Sequence, residues 1–480
     1  MPPSKERSDI KVQAERTVLA AVRLPKDRFD PADPFGELGE LARQAGAVIV
    51  AAVEQNRDKP EAGTYMGRGK VEELKNICEE LEATTIIFDH DLSPKQISKI
   101  QEITGRKVLD RSELILDIFA SRATTHEARL QVELAQLEYT YPRLRAMWDH
   151  LERIVGSGGI GGVGTRGPGE QQLEIDRRLV QRRKKLLQNE LVEIQGRKRR
   201  AVQARNNESF TVGLVGYTNA GKSTVFNTLT SGGAYADDRL FATLMTRTRQ
   251  WDLGGGRIAL LSDTVGFVRD LPHQLVASFR ATLEEATHAD LLLIVLDVSD
   301  PAAELHYDTV MKTLDDLFEE VESEETRAQR AAVRDGAGLV EWTPPERLVL
   351  LNKADRLPNN RELLVWQSKI PTAIAMCALP DPGDASRLTL GHDALESVVL
   401  GRMLGQVREL KIRVPLSDSR TIHTLENRGE VLERDYDTDA AILRVRVGDR
   451  VLAQLRSAGS RMEIISGQGA PSPTKPWPAP

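Results

Sequence analysis

From Val18 to Ala120, short apolar runs alternate with segments in which apolar residues recur every three or four positions. The runs are "VLAAVRL", "AVIVAAV", "TTIIFDH" and "KVLD"; the amphipathic segments are "ELGELARQAG", "KVEELKNICEEL", "PKQISKIQEITG" and "SELILDIFA". Continuous apolar strands need cover on both faces, so the alternation predicts an α/β domain over 16–120, a parallel sheet with helices on either side. Between Thr124 and Asn206 the strand signal disappears. Leu130, Leu134 and Leu137 stand at helical spacing, while Leu173, Val180, Leu187 and Ile194 recur every seven residues. Two long helices packed as a hairpin are expected over 121–207, with the glycines of "GSGGIGGVGTRGPGE" forming a mobile loop between them.

The strand and helix alternation resumes with "FTVGLVG", "RIALLSD", "LLLIVLDV", "RLVLLNK" and "TAIAM", which predicts a second α/β domain over 208–408. Inside it, "DDLFEEVESEETRAQRAAVRDGAG" reads as an insertion before Arg347, a solvated helix or mobile loop in preference to a binding element. From Lys411 onward the order is βαββαβ, which predicts a small α+β domain of ferredoxin-like type over 409–466. Residues 1–15 and 467–480 carry no such pattern and are expected to be disordered.

Composition narrows the picture. A chain of 480 residues is too long for one ordinary core, and 40% hydrophobic with 28% charged residues suits a soluble globular protein. Cys78 and Cys377 are the two cysteines, with no CxxC or HExxH, so neither a disulfide framework nor a zinc site has support and a reducing cytoplasm is expected. No eighteen apolar residues follow one another, so no integral membrane segment is expected; peripheral membrane association is left open. The chain is expected to be a monomer.

A net charge of −6 argues against uniform attraction to nucleic acid, so any such surface must be local. Between Arg177 and Arg205 eleven basic side chains face two acidic ones. Arg177, Arg178, Arg182, Arg183, Lys184, Lys185, Arg197, Lys198, Arg199 and Arg200 are therefore candidate RNA contacts, since a phosphate backbone rewards such a stripe by counterion release. A merely solvated coiled-coil face would mix signs.

The chemistry concentrates in three places. "GYTNAGKST" matches GxxxxGK[ST] between an apolar strand and a helix. Its glycines let backbone N–H groups of Gly216, Tyr217, Thr218, Asn219, Ala220 and Gly221 turn toward phosphate oxygens beside a helix N-terminus. Lys222 adds a cation for the β and γ phosphates, and Ser223 a hydroxyl for Mg²⁺. Asn219 either braces the loop or helps seat a K⁺ ion. A second match, the GxGxxG of Gly162, Gly164 and Gly167, follows a helical segment and not a strand, which excludes a dinucleotide fingerprint.

Next, "RIALLSDTVGF" ends a strand with Asp263, Thr264, Val265 and Gly266. Asp263 can hold Mg²⁺ through water, and the Gly266 N–H can sense a γ phosphate. Finally, "LVLLNKAD" places Asn352, Lys353, Ala354 and Asp355 at another strand end. The Asp355 carboxylate can accept from guanine N1 and N2, whereas adenine would leave it unpaired, so GTP and not ATP is expected. Asn352 would brace the loop and the Lys353 stem would cover the base. Cys377 and Ala378 are the candidate base-supporting loop, and within "FATLMTRTR" Thr243, with Thr246 as the fallback, is the candidate second hydroxyl for Mg²⁺.

With "GYTNAGKS", "FATL", "DTVGFVRDLPHQL" and "NKAD" in place, and "YMGRGKVEEL" and "GGVGTRGPGEQQLEIDRR" upstream, the chain resembles the HflX family of the Obg-HflX superfamily from about Arg16 to Ser466. The resemblance implies a P-loop GTPase domain at 208–408 and a protein that binds the large (50S) ribosomal subunit and its rRNA. It further implies dissociation of stalled or idle ribosomes in the GTP state, with hydrolysis to GDP and phosphate driving release. The family's nucleotide contacts carry over to Gly216 through Ser223, Phe241, Ala242, Thr243, Leu244 and Met245, Asp263 through Gly266, and Asn352 through Asp355, with Lys222, Thr243 and Gly266 expected to be catalytic. Met245 stands where the family usually has an acidic residue, and the Cys377 loop is diverged.

Phe267, directly after Gly266, can neither donate nor accept a proton, so the group that orients the attacking water must come from elsewhere. Contact with the ribosome ordering the segment around Thr243 is the expectation. A nucleotide-gated binding factor with negligible hydrolysis, or a GTPase acting on another RNA, are the competing readings.

Overall fold

The computed structural model describes residues 15–25, 29, 33–139, 141, 178–197, 209–230, 247–254, 256–264, 266–269, 286–334, 343–357, 359–378, 391–405, 407–457 and 459–469. In the N-terminal unit, β1 (Arg16–Arg23), β2 (Val48–Asn56), β3 (Thr85–Phe88) and β4 (Lys107–Leu109) pair in parallel in the order β2-β1-β3-β4. Helices α1 (Gly36–Gln44) and α4 (Arg111–Arg122) close one face through Leu38, Leu41, Ile115 and Phe119. Helices α2 (Arg68–Glu80) and α3 (Pro94–Thr104) close the other through Val71, Leu74, Cys78 and Ile100. Local signals set the helix ends. Ser93 and Gln96 form a reciprocal capping box around Pro94 at the first helical position, and the Asp110 side chain caps α4 by accepting from Glu113 N.

Two helices follow, α5 (126–139) and α6 (178–197). Leu130 and Leu134 pack against Leu187 and Leu191, with Leu137 and Ile194 alongside. The two helices pack on each other, and the seam on α6 runs through 187, 191 and 194 instead of a strict seven-residue row, because a straight helix brings i, i+4 and i+7 to one face. The glycine-rich loop at 156–170 lies outside the described residues.

The central unit is a six-stranded sheet in the order β10-β9-β8-β5-β7-β6. Its strands are β5 (Phe210–Gly216), β6 (Arg247–Asp252), β7 (Ile258–Asp263), β8 (Leu291–Asp297), β9 (Glu346–Asn352) and β10 (Ile374–Ala375). All pair in parallel except β6, which runs antiparallel to β7 at the sheet edge. The parallel strands were the ones expected, and β6 was not, because "RTRQWD" offers a single large apolar side chain, the fully buried Trp251. Flanking helices are α7 (Lys222–Leu229), α8 (Ala303–Arg334), α9 (Asn360–Lys369) and α10 (His392–Leu404). The segment read as an insertion continues α8 as far as Arg334, but its first part is not simply solvated: Leu317, Phe318 and Val321 are buried in the core, and Asp315 pairs with Arg347 of β9 at 2.7 Å.

In the C-terminal unit β11 (Val407–Pro415), β12 (Glu430–Tyr436), β13 (Ala440–Gly448) and β14 (Glu463–Gly469) form an antiparallel sheet in the order β12-β13-β11-β14. Helices α11 (Ser419–Arg428) and α12 (Asp449–Ser457) complete the split βαβ order expected. β14 runs three residues past Ser466, since Arg408 to Leu410 extend β11 and give Gly467 to Gly469 a backbone partner.

Candidate nucleotide site

The site forms at the carboxyl ends of β5, β7, β8 and β9, where an open α/β sheet binds ligands. β5 ends at Gly216, whose φ of 156° and close approach to Val295 exclude a side chain: a Cβ there would lie 2.3 Å from the Val295 carbonyl oxygen. The chain then turns through Asn219 (φ 61°) and Gly221 (φ 93°) into α7. A Cβ on Gly221 would meet Asn352 Nδ2 at 2.4 Å, so the glycine is what lets the two loops touch.

Lys222 begins α7 and is buried. Its Nζ donates to the Tyr217 carbonyl at 2.7 Å and to Gly216 at 3.1 Å, which holds the ammonium over the loop. Burial pushes its pKa down to about 8, with Asp263 partly opposing the shift. Ser223 Oγ donates to Asp263 Oδ2 at 2.9 Å, so a hydroxyl and a carboxylate from two motifs converge. These are hard oxygen donors of the kind Mg²⁺ takes. Thr264 points away and donates to the Leu214 carbonyl at 2.6 Å. Gly266 closes on the P-loop: a Cβ there would lie 2.8 Å from Thr218 Cγ2 and 3.0 Å from Lys222 Nζ. Phe267 turns into the core with Val215 and Tyr217 and is 4% exposed.

At the other end, Asn352 Nδ2 donates to the Ala220 carbonyl at 2.8 Å and braces the P-loop. Lys353 adopts φ 58°; its Nζ donates to the Asn219 carbonyl at 3.0 Å and pairs with Asp297 at 2.6 Å. A cleft of about 240 Å³ opens between these loops, lined by Asn219, Gly221, Thr224, Asn352, Lys353, exposed Asp355, Arg356, Cys377 and Ala378. Thr228 of α7 donates to the Ala378 carbonyl at 2.8 Å, which fixes that loop on the cleft wall. Ala354 N donates to the Met376 carbonyl nearby.

Sequence reasoning missed Asp297, the partner of Lys353. Its signal was present, a carboxylate ending the apolar run "LLLIVLD" on the strand beside β5. Phe241, Ala242, Thr243, Leu244, Met245 and Val265 lie outside the described residues, as do Arg177, Lys198, Arg199 and Arg200. The remaining basic candidates sit on α6, but not all face solvent alone. Arg183 makes a two-pronged ion pair with Glu133 at 2.7 and 2.8 Å, and Lys184 pairs with Glu138 at 2.8 Å, both across the hairpin. Arg178, Arg182, Lys185 and Arg197 are exposed. Exposed ion pairs are weak enough to be exchanged for phosphate.

The lowered pKa of Lys222 has a sign that can be read. Above about pH 8 the free site holds a neutral amine, whereas phosphate oxygens favour the ammonium, so nucleotide binding takes up a proton there. GTP affinity is expected to fall by about tenfold between about pH 7.5 and about pH 9.5, and the fall to vanish in Lys222→Met; titration at the two pH values checks it. Folding stability should move the opposite way, rising from about pH 8 toward the ordinary lysine value of 10.5, because there the unfolded chain keeps the proton longer than the folded one.

Families described as "GTP-binding GTPase N-terminal", "GTP-binding GTPase Middle Region" and "50S ribosome-binding GTPase" match residues 33–120, 122–205 and 211–331. A protein named GTPase HflX from Caldanaerobacter subterraneus subsp. tengcongensis is 36% identical over 450 residues, covering 92% of this chain and 93% of its own. The GTPase HflX of Lacrimispora saccharolytica is 46% identical over 313 residues, covering 65% of this chain and 73% of its own. That of Escherichia coli is 41% identical over 304 residues, covering 63% and 70%.

Proposed function

Because the chain belongs to the HflX family of GTPases, we propose that it binds the large ribosomal subunit in its GTP state and dissociates stalled or idle ribosomes, with hydrolysis driving release. The chain is a GTP-hydrolysing enzyme. What supports the ribosomal partner is the match of its central unit to a family described as ribosome-binding, joined to a helical hairpin that exposes Arg178, Arg182 and Lys185. Phosphate contacts by such residues give affinity that falls steeply with salt. Among the described residues no helix is long and apolar enough to cross a membrane, and we place the protein's work in the cytoplasm.

In this reading the P-loop N–H groups and Lys222 hold the phosphates, and Asp355 selects guanine from the cleft. Ser223, with Asp263 behind it and Thr243 from the segment before β6, would hold Mg²⁺, which neutralises charge on the β and γ phosphates when bound. Gly266 lies beside Lys222, where its N–H would meet the terminal phosphate, and Lys222 would stabilise negative charge as the terminal phosphoryl group passes from GDP to water.

Sedimentation with purified large subunits tests the partner. In a non-hydrolysable GTP analogue the chain is expected to pellet with the subunits at least about tenfold more than in GDP, a coupling of about 1.4 kcal/mol. Equal pelleting in both states, or none in either, would remove the proposal.

A further inference from the structure

In the central sheet β8 lies between β5 and β9, so its carboxyl end stands between the P-loop and the Asn352 segment. Gly216, where the P-loop begins, pairs with Val295, and Asn352 pairs with Asp297, the last residue of the middle strand. The two oxygens of Asp297 are used separately. Oδ1 accepts from Ser299 N at 3.0 Å and from Ser299 Oγ at 2.6 Å, which fixes the carboxylate on its own turn. Oδ2 accepts from Lys353 Nζ at 2.6 Å, and the two side chains of this pair are only 14% and 18% exposed.

The same ammonium donates to the Asn219 carbonyl of the P-loop at 3.0 Å. Lys353 and Asn219 are both non-glycine residues in the left-handed region, at φ 58° and 61°, a conformation that a side chain resists and that surrounding contacts must hold. One ammonium therefore ties two strained turns together from opposite walls of the cleft. The lysine stem runs alongside the P-loop: a Cβ on Gly221 would lie 3.9 Å from Lys353 Cε.

A lysine side chain left free samples many rotamers, and laying it over a ligand costs that freedom. Lys353 is held at both ends before any ligand enters, at the backbone by its turn and at Nζ by Asp297 and Asn219. Of the two bonds at Nζ the one to the carboxylate is between opposite charges and is the stronger. Asn219 supplies only a neutral carbonyl, so without Asp297 a largely buried ammonium loses its counter-charge and the stem loses its anchor.

We propose that Asp297 is a positioning residue for the nucleotide: by anchoring the Lys353 ammonium against the P-loop, it holds the stem that covers the base and sets how long the nucleotide stays bound. The proposal rests on the reading of this cleft as the guanine site. Asp297 acts through Lys353 alone, so losing the carboxylate and losing the ammonium remove one and the same interaction, and the two losses do not add.

Release of GDP carrying a fluorophore on its ribose, chased from the full chain with excess unlabelled GDP, tests it. Asp297→Asn keeps an acceptor for Ser299 and removes the charge facing Lys353, whereas Lys353→Met keeps an aliphatic stem and removes the ammonium. Each is expected to speed release at least about tenfold, and the double variant to exceed the faster single by no more than about twofold. Ser299→Ala separates this from a role in forming the turn: it takes one bond from Asp297 Oδ1 and leaves the ion pair, so release should stay within about twofold of the parent. Melting curves on the same samples show that each variant is folded. Unchanged release in Asp297→Asn, effects that multiply in the double variant, Ser299→Ala as fast as Asp297→Asn, or an Asp297→Asn chain that no longer folds would each overturn the proposal. No guanine nucleotide bound by the parent would instead overturn the reading of the cleft on which it rests.

Discussion

Changing Asp355 to alanine is expected to weaken GTP binding by on the order of 10³-fold, with ATP binding left as weak as before. Two charge-assisted hydrogen bonds to the guanine edge are lost together, each contributing about 1.5–3 kcal/mol. Asp355 is exposed at the mouth of a cleft otherwise walled by Gly221, Lys353, Cys377 and Ala378, so its removal disturbs no core packing. Calorimetry with both nucleotides, beside a thermal melt that should not move, measures the effect. A loss shared equally by GTP and ATP would mean that the carboxylate serves the loop and not the base.

The second large effect belongs to Lys222. Lys222→Ala is expected to lower single-turnover GTP hydrolysis by about 10²- to 10³-fold, the range for removing one preorganised group aimed at developing charge. Loss of fold is not the cause expected. Burial disfavours the ammonium in the free protein, which offsets part of what its two hydrogen bonds contribute, so the variant is expected to stay folded at neutral pH. Its hydrogen bonds to Gly216 and Tyr217 go with it, which makes phosphate affinity the accompanying loss. Melting and turnover measured on one preparation separate the two.

Much of this architecture could be read in the chain because parallel strands are buried on both faces. "FTVGLVG" and "LLLIVLD" became β5 and β8 because, Thr211 and the terminal Asp297 aside, no polar position interrupts them. β6 escaped since an edge strand can be polar on most positions and still pair, with Trp251 alone facing inward. The P-loop, the Asp263 segment and the Asn352 segment were legible because their chemistry is local, set by glycines, one lysine and one carboxylate at strand ends. The basic stripe on α6 was legible as charge, but the pairing of Arg183 and Lys184 with Glu133 and Glu138 depends on which face of α5 lies opposite, which composition does not encode. Least legible was the contact that Arg269 makes with the N-terminal unit. "FVRD" looks like an ordinary exit from a strand, and its partners Glu37, Asp89 and Arg111 lie more than 150 residues away, in a unit with its own core.

Phe267 links these points to the reaction. Its side chain is held in the core behind the P-loop, so nothing at that position can orient a water for attack, and in the proposed function the missing group arrives with the partner. The most direct test of the account is therefore the rate of GTP hydrolysis by the purified chain with and without large ribosomal subunits at fixed Mg²⁺. Slow turnover alone, rising at least about tenfold when subunits are added, is the predicted result, corresponding to about 1.4 kcal/mol off the barrier. The same rate in both samples would contradict it.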